Sequence, residues 1–275
     1  MHSDEELAES LGAKILERET IHQWPLSCVQ KLLLDGGGKL IYKSQLPPTV
    51  EAQFYRLAGS SILPKHRVLD RLGKCDTMVI EWIEASLLSD MVLSEDGLLD
   101  HGKRVVGEIA EIQGELPAYL DIGTASAWSD VAAATLRKLE VLIRNKRFKS
   151  LSEKHLRGVE TWTELESVIQ GMTERTGIIH GDLKADQIFI VGNEYRVIDW
   201  QRPVRGPVAL DLVSLLEGQR IDSRKYIDLN LVKGFWFLRL HWAVEAQVEL
   251  FPDFRGRLFD QWASEGAKKI VGDQF

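Results

Sequence analysis

Cysteine is almost missing from this chain. Of its 275 residues only Cys28 and Cys75 are cysteines, and neither belongs to a CxxC pair, which excludes a disulfide framework and a cysteine-rich zinc site. Positive charge is also in deficit. The 34 Lys and Arg against 41 Asp and Glu give a formal net charge of -7, so the clustered cations that grip phosphate backbones are lacking and no nucleic-acid partner is expected. No run of 18 apolar residues occurs, and the opening MHSDEELAES is acidic and polar where a secretory leader is basic and then apolar. No membrane partner is expected, and the scarcity of cysteine points to a reducing, cytoplasmic setting. Internal repeats and low-complexity linkers are absent as well.

What the chain does contain is an ordinary 44% of hydrophobic residues, enough for a proper core, arranged in two regimes. Leu7, Leu11 and Ile15 recur every four residues and predict a short helix within Glu5 to Glu17. Cys28 to Leu34 and Lys39 to Gln45 predict strands joined at Asp35-Gly36-Gly37-Gly38; those glycines lack the Lys-Ser/Thr and helix start of a phosphate loop, so they form a hairpin turn. A helix with Thr49 as its cap is predicted over Thr49 to Gly59, then strands over Arg67 to Asp70 and Thr77 to Trp82. From Asp100 the pattern turns helical up to about Glu174, and it does so again from Leu210 onward. The expected class is α+β with two lobes: a small antiparallel-sheet lobe over 1–83 and a larger, mostly helical lobe over 84–275. The boundary falls near Glu81 to Ala85, and a cleft between the lobes is the expected ligand site.

Among the helical stretches lies IIHGDLKADQIFIVGNEYRVIDW, Ile178 to Trp200. Two aspartates, Asp182 and Asp199, stand toward its ends. A hairpin loop of Gly192, Asn193 and Glu194 would pair Val191 with Tyr195 and Phe189 with Val197, which sets Gln187 opposite Asp199. Opposed residues have Cβ atoms roughly 4.5 to 5.5 Å apart, so an amide and a carboxylate there can share one hard cation while Asp182 takes a proton nearby. Further on, Phe235, Trp236, Phe237 and Trp242 form an aromatic group able to wall a pocket or hold a quaternary ammonium. Aromatic stripes on helices are more often core, and core is expected.

His180-Gly181-Asp182-Leu183, then Ile198-Asp199-Trp200, then Asp211-Leu212 after a Gly206-Pro207 turn together resemble the protein-kinase-like phosphotransferases, specifically the aminoglycoside phosphotransferase and choline kinase branch. The resemblance runs from about Cys28 to Leu216 and is most specific in its central part. It implies a bilobal protein-kinase-like fold, ATP and Mg2+ as cofactors, and transfer of the γ-phosphate to a hydroxyl of a small molecule, an antibiotic or a metabolite. The partners implied are a nucleoside triphosphate and that acceptor. Phosphoryl transfer asks mainly for alignment of a hydroxyl and neutralisation of phosphate charge. In those terms the resemblance makes Asp182 the group that orients the acceptor and takes its proton, and Asp199 the Mg2+ ligand. Lys43 becomes the strand lysine that grips the α- and β-phosphates, with Glu51 as its ion-pair partner. Backbone groups of Glu81 and Ile83 would hold adenine, while His180 and Asp211 are structural, Asp211 capping its helix and holding the loop.

Two positions depart from the branch pattern. Gln187 stands where the family has a metal-binding Asn, keeping the carbonyl oxygen but adding a methylene, and neighbouring Asp186 is an alternative ligand. Lys184 stands where small-molecule members often have His, and its ammonium can neutralise charge on the transferred phosphoryl group. Gln187 motivates a rival reading, a kinase-like nucleotide-binding or regulatory protein with weak or no turnover. A protein kinase is favoured only by Asp182-Leu183-Lys184, and the DFG and APE signatures are missing.

Overall fold

The computed structural model describes residues 1–272. Its elements run α1 (Asp4–Leu11), β1 (Ile15–Trp24), β2 (Ser27–Leu34), β3 (Lys39–Gln45), α2 (Glu51–Leu57), β4 (His66–Val68), β5 (Asp76–Glu81), β6 (Ser86–Leu87), α3 (Glu95–Ala110) and β7 (Leu120–Asp121). They continue with α4 (Ala125–Arg144), α5 (Glu153–Thr163), α6 (Glu166–Thr173), β8 (Thr176–Ile179), β9 (Ile188–Val191), β10 (Glu194–Val197), β11 (Val204–Pro207), α7 (Ala209–Gly218), α8 (Leu229–Glu245) and α9 (Leu258–Val271). The architecture is α+β. Two compact units divide it: Met1–Tyr119 with Asp182–Pro203, and Leu120–Gly181 with the chain from Val204 on. Compactness thus groups α3 and the β9–β10 hairpin with the sheet, whereas sequence pattern alone divides the chain near residue 83.

The first unit is built on a five-stranded sheet in the order β1-β2-β3-β5-β4, antiparallel throughout. Strand alternation sends Leu40 and Tyr42 of β3 to one face and Lys43 and Gln45 along the other register. The Tyr42 face packs Leu32, Leu69 and Val79 against Leu7 of α1 and Ile15. The first helix is shorter than predicted. It stops at Gly12, which takes the left-handed conformation at φ 69°, and Ile15 opens β1 instead of a fourth helical turn. β1 escaped the sequence reading because it is an edge strand with seven consecutive partly or fully exposed residues beyond Glu17, so burial imposes no alternation on it. α2 begins one residue later than a Thr49 cap implies: its N-cap is Val50, and the Thr49 hydroxyl donates to the Gln201 carbonyl at 3.1 Å.

The second unit is helical around a small sheet in which β11 pairs parallel with β7 and antiparallel with β8. Gly206-Pro207 lies in that sheet, as the end of β11 beside Gly177 and Thr176, and is not the turn the sequence suggested; pairing with β8 holds it extended. Trp128 of α4 meets Trp162 of α5 edge-on and Phe237 of α8, with ring centroids 5.9 and 5.0 Å apart. Phe235, Trp236 and Phe237 are buried, and Trp242 packs partly buried against the same core. The aromatic group is therefore core, and α8 is apolar nearly all round because neighbours cover most of its surface. Among the described residues no helix is long and apolar enough to cross a membrane.

His241 sits inside this core, 6% exposed. Its Nδ1 lies 2.8 Å from the Thr135 hydroxyl, which itself donates to the Val131 carbonyl, so Nδ1 must be the protonated donor of a neutral ring. Burial, and secondarily Lys138, pushes its pKa down to about 4. A depressed histidine contributes full stability above its unfolded pKa near 6.5 and loses it as pH falls toward 4, because only the unfolded chain takes up the proton there. We expect denaturant midpoints to fall between pH 6.5 and 4, with about 3 kcal/mol at stake, and His241→Leu to flatten that slope. An unchanged slope in the variant would remove His241 as its cause.

Candidate active site

A lysine on the buried face of a strand needs a counter-charge, and β3 delivers one to the first turn of α2. Lys43 Nζ donates to Glu51 Oε1 at 2.8 Å and to Asp199 Oδ1 at 3.2 Å. Lys43 is 5% exposed and Glu51 fully buried. Burial pushes the Lys43 ammonium down, but Glu51 and Asp199 more than reverse it, and the group stays protonated above its ordinary range. Burial also pushes the Glu51 carboxyl up against the pull of Lys43. Gln45, two residues along the same face of β3, donates to the other Glu51 oxygen at 2.6 Å. Sequence reading passed over Gln45, although its spacing from Lys43 was the signal. Tyr55, one turn beyond Glu51, is buried too, and burial with the nearby Glu51 and Asp199 charges raises its hydroxyl well above the usual range.

The β9–β10 hairpin arrives in a different register from the predicted one. Its loop has two residues, Gly192 and Asn193; Val191 pairs with Glu194 and Phe189 with Arg196. Gly192 alone of the two has a positive φ, the type II′ pattern that matches strand twist and needs glycine first. The slip puts Ile198, not Asp199, across from Gln187, and the Ile198 N–H donates to the Gln187 carbonyl at 3.0 Å. Asp199 turns back to the site through a left-handed backbone, φ 75°, unusual for a residue with a side chain and typical of functional positions.

Three side chains then converge on the Asp199 carboxylate. Lys43 and Gln201 Nε2 reach Oδ1, the amide at 2.6 Å, and Gln187 Nε2 reaches Oδ2 at 3.4 Å. The Gln187 oxygen instead accepts the Lys184 backbone N–H at 2.8 Å, closing the single turn Ala185–Gln187. Gln201 was not anticipated. Its backbone carbonyl accepts the Val50 N–H at 3.2 Å and the Thr49 hydroxyl, and the intervening Trp200 stacks on Phe54 of α2, centroids 4.4 Å apart and planes within 7°. Asp182 and Lys184 pair at 2.9 Å with side chains 46% and 43% exposed, accessible to a substrate.

The donor set suits a hard cation. Among the described residues no group of three His, Cys, Asp or Glu could hold a metal ion, and beside the Lys43 ammonium the side chains that meet Asp199 include the neutral amides of Gln187 and Gln201. One carboxylate with amide oxygens fits Mg2+, which keeps several waters and takes phosphate oxygens, better than a closed structural site.

In the second unit Asp211 is buried in the first turn of α7, whose N-cap is Val208. It caps no helix end. Its two oxygens accept the backbone N–H groups of His180 at 2.7 Å and Gly181 at 2.9 Å, the loop-holding role expected of it. The structure does not bring the adenine-segment residues into one cavity with the carboxylates. Glu81 and Ile83 line a cavity of about 710 Å3 with Leu63, His66 and Arg196, and none of Lys43, Glu51, Asp182 or Asp199 lines it. Glu81 is also engaged by Lys65, whose backbone N–H donates to its carboxylate at 2.8 Å.

Residues 49–244 match the model of a family described as the phosphotransferase enzyme family. No curated protein sequence matches the chain. Among solved structures, a thermostable mutant of aminoglycoside phosphotransferase APH(4)-Ia, in ternary complex with ADP and hygromycin B, is 14% identical with a TM-score of 0.67, covering 98% of each chain. Spectinomycin phosphotransferase APH(9)-Ia, with ADP and spectinomycin, is 15% identical with a TM-score of 0.58 over 98% of this chain and 94% of its own. A putative fructosamine-3-kinase from Thermobifida fusca YX-ER1 is 13% identical with a TM-score of 0.61, again over 98% of both. At such identities the likeness establishes the fold.

The buried ion pair makes a stability prediction independent of any ligand. Glu51→Leu leaves the Lys43 ammonium short of its buried partner and should cost about 3–5 kcal/mol. Adding Lys43→Met should restore most of that, as read from urea denaturation. A double variant no more stable than Glu51→Leu alone would mean the pair is not what couples these positions.

Proposed function

The chain belongs to the phosphotransferase enzyme family, a small-molecule kinase by class, and we propose that it moves the γ-phosphate of ATP to a hydroxyl of an antibiotic or metabolite. The observation that carries this reading is the convergence of Lys43, Glu51 and Asp199, with a second, accessible carboxylate at Asp182. Asp182 would orient the acceptor hydroxyl and accept its proton as the new oxygen–phosphorus bond forms and the bond to the β-phosphate oxygen breaks, releasing ADP. Lys184, paired with Asp182, would offer its ammonium to the transferred group. Lys43, held by Glu51, would grip the α- and β-phosphates. Backbone groups of Glu81 and Ile83 would hold adenine. Asp199 and the Gln187 amide are the expected Mg2+ ligands, and Mg2+ supplies neutralisation of phosphate charge when bound.

A second reading has one observation in its favour. Because the Gln187 oxygen is engaged by the Lys184 N–H, a protein that depended on Gln187 for its metal would bind nucleotide and turn over poorly. ADP release measured over aminoglycosides, macrolides, amino alcohols and sugars separates the two. We expect at least one acceptor to raise ADP release, and Asp182→Asn to lower turnover by roughly 100- to 10,000-fold with little change in nucleotide affinity. Turnover that survives Asp182→Asn would sink the mechanism. Silence across the panel, with ATP still stabilising the fold, would favour the nucleotide-binding reading.

A further inference from the structure

The two amides beside Asp199 are not equivalent, and the difference decides which of them can serve a cation. The Gln187 amide is committed at both ends: its oxygen accepts the Lys184 N–H at 2.8 Å and its nitrogen faces Asp199 Oδ2 at 3.4 Å. Gln187 is 8% exposed, so turning its amide breaks the bond that closes the Ala185–Gln187 turn and buries an unsatisfied N–H donor. Gln201 is the reverse case. Its main chain is fixed, with the N–H donating to the Asp199 carbonyl at 2.8 Å and the carbonyl accepting from Val50 and Thr49. Its side-chain oxygen has no hydrogen-bond partner among the described residues, while its nitrogen lies 2.6 Å from Asp199 Oδ1. A half-turn of this amide exchanges nitrogen for oxygen and breaks no bond except the one to Asp199, whose loss a cation shared by the two oxygens would offset.

Resting on the phosphotransferase reading above, we propose that Gln201, and not Gln187, supplies the amide oxygen that joins Asp199 in holding the divalent cation. The half-turn would bring two oxygens together at about the separation that the 2.6 Å contact now records. Adjacent ligands of an octahedral Mg2+ with bonds of 2.0–2.1 Å lie about 2.9 Å apart, so the two atoms already stand near one edge of such a coordination shell. Without a cation the amide presents its N–H to the carboxylate; with one it presents its carbonyl. Gln187 then has a different duty, fixing the backbone of Lys184 two residues after Asp182. The longer side chain at the family's Asn position is thereby accounted for, because the metal-binding amide has moved to the other side of Asp199.

The test is cation binding by the intact protein, followed by the loss of the free Mn2+ electron-paramagnetic-resonance signal at saturating ADP, with Mg2+ competition. Metal-free ADP binding by thermal shift checks that each variant is folded. Gln201→Met, which keeps the length and removes the oxygen, should weaken Mn2+ binding roughly ten-fold or more. Gln201→Glu keeps an oxygen but can donate no N–H, and should bind Mn2+ as tightly as the parent or tighter. Gln187→Met should lower the melting temperature and weaken Mn2+ binding less than Gln201→Met does. If Gln201→Glu loses as much affinity as Gln201→Met, Gln201 acts only as a donor to Asp199 and the proposal is overturned. A larger loss in Gln187→Met overturns it too. A parent protein that binds ADP but takes up no Mn2+ overturns the phosphotransferase reading along with it, whereas normal uptake in the parent and in Gln201→Met defeats this inference alone.

Discussion

An ammonium group buried in a protein interior has to be met by carboxylate, and in this chain the requirement falls on Lys43. Its two partners come from different places: Glu51 from the first turn of α2 and Asp199 from beyond the β9–β10 hairpin. Removing one partner of such a group leaves a desolvated charge, a penalty far larger than the net benefit of the pair. The neighbouring structure is consequently built to keep both partners in place. Gln45 holds the second Glu51 oxygen, Trp200 stacks on Phe54 of the same helix, and the Gln201 carbonyl receives the chain just ahead of α2. Ion pair, ring stack and backbone bonds lie on three successive residues, Asp199 to Gln201. A movement of α2 away from that segment must break the ring stack and the backbone bonds and part Glu51 from the ammonium it shares with Asp199, so the spacing of Glu51 and Asp199 is set before any ligand arrives.

The chemistry was far more legible in the sequence than the geometry that arranges it. Lys43, Glu51 and Asp199 could be named because the motifs from His180 to Asp211 resemble a known family, which implies a cation on a strand and acids at a helix start and a strand end, and the structure brings these three together. The hairpin register was not legible. Whether the loop has two or three residues depends on backbone conformation at Gly192, and a one-residue slip exchanges the partners of every position. β1 was hidden because an exposed edge strand carries no burial pattern. β8 and β11 were hidden because they are four residues each, too short for a period to show. Gln201 was overlooked for a different reason: an uncharged side chain next to a tryptophan carries no signal of its own until the carboxylate it touches is in view.

Asp182 and Asp199 illustrate how environment separates two residues of one type. Asp199 has three donors around it and a backbone conformation that costs free energy, typical of a group whose orientation matters more than its freedom. Asp182 has its neighbour Lys184 and considerable exposure. The same contrast holds for the two glutamines near Asp199, one with both ends of its amide engaged in closing a turn and meeting Asp199, the other with only its amide nitrogen engaged.

The site is also divided along the chain, and that has a consequence for how the protein is made. Lys43 and Asp199 are 156 residues apart in sequence, and the unit that contains them consists of residues 1–119 and 182–203, with 62 residues of the second unit in between. During synthesis the sheet, α2 and Glu51 emerge early, while Trp200, Asp199 and the hairpin come much later. For that interval α2 lacks its ring partner and Lys43 has half its counter-charge. Domains generally fold as units and from the N-terminus as they leave the ribosome, but this one cannot finish until a segment from the far side of an insertion has returned to it. The early part of the chain must therefore wait, partly assembled, with the Phe54 ring of α2 lacking its Trp200 cover. Completion of the fold and completion of the site become one event, so a nascent chain cut short before residue 199 has neither.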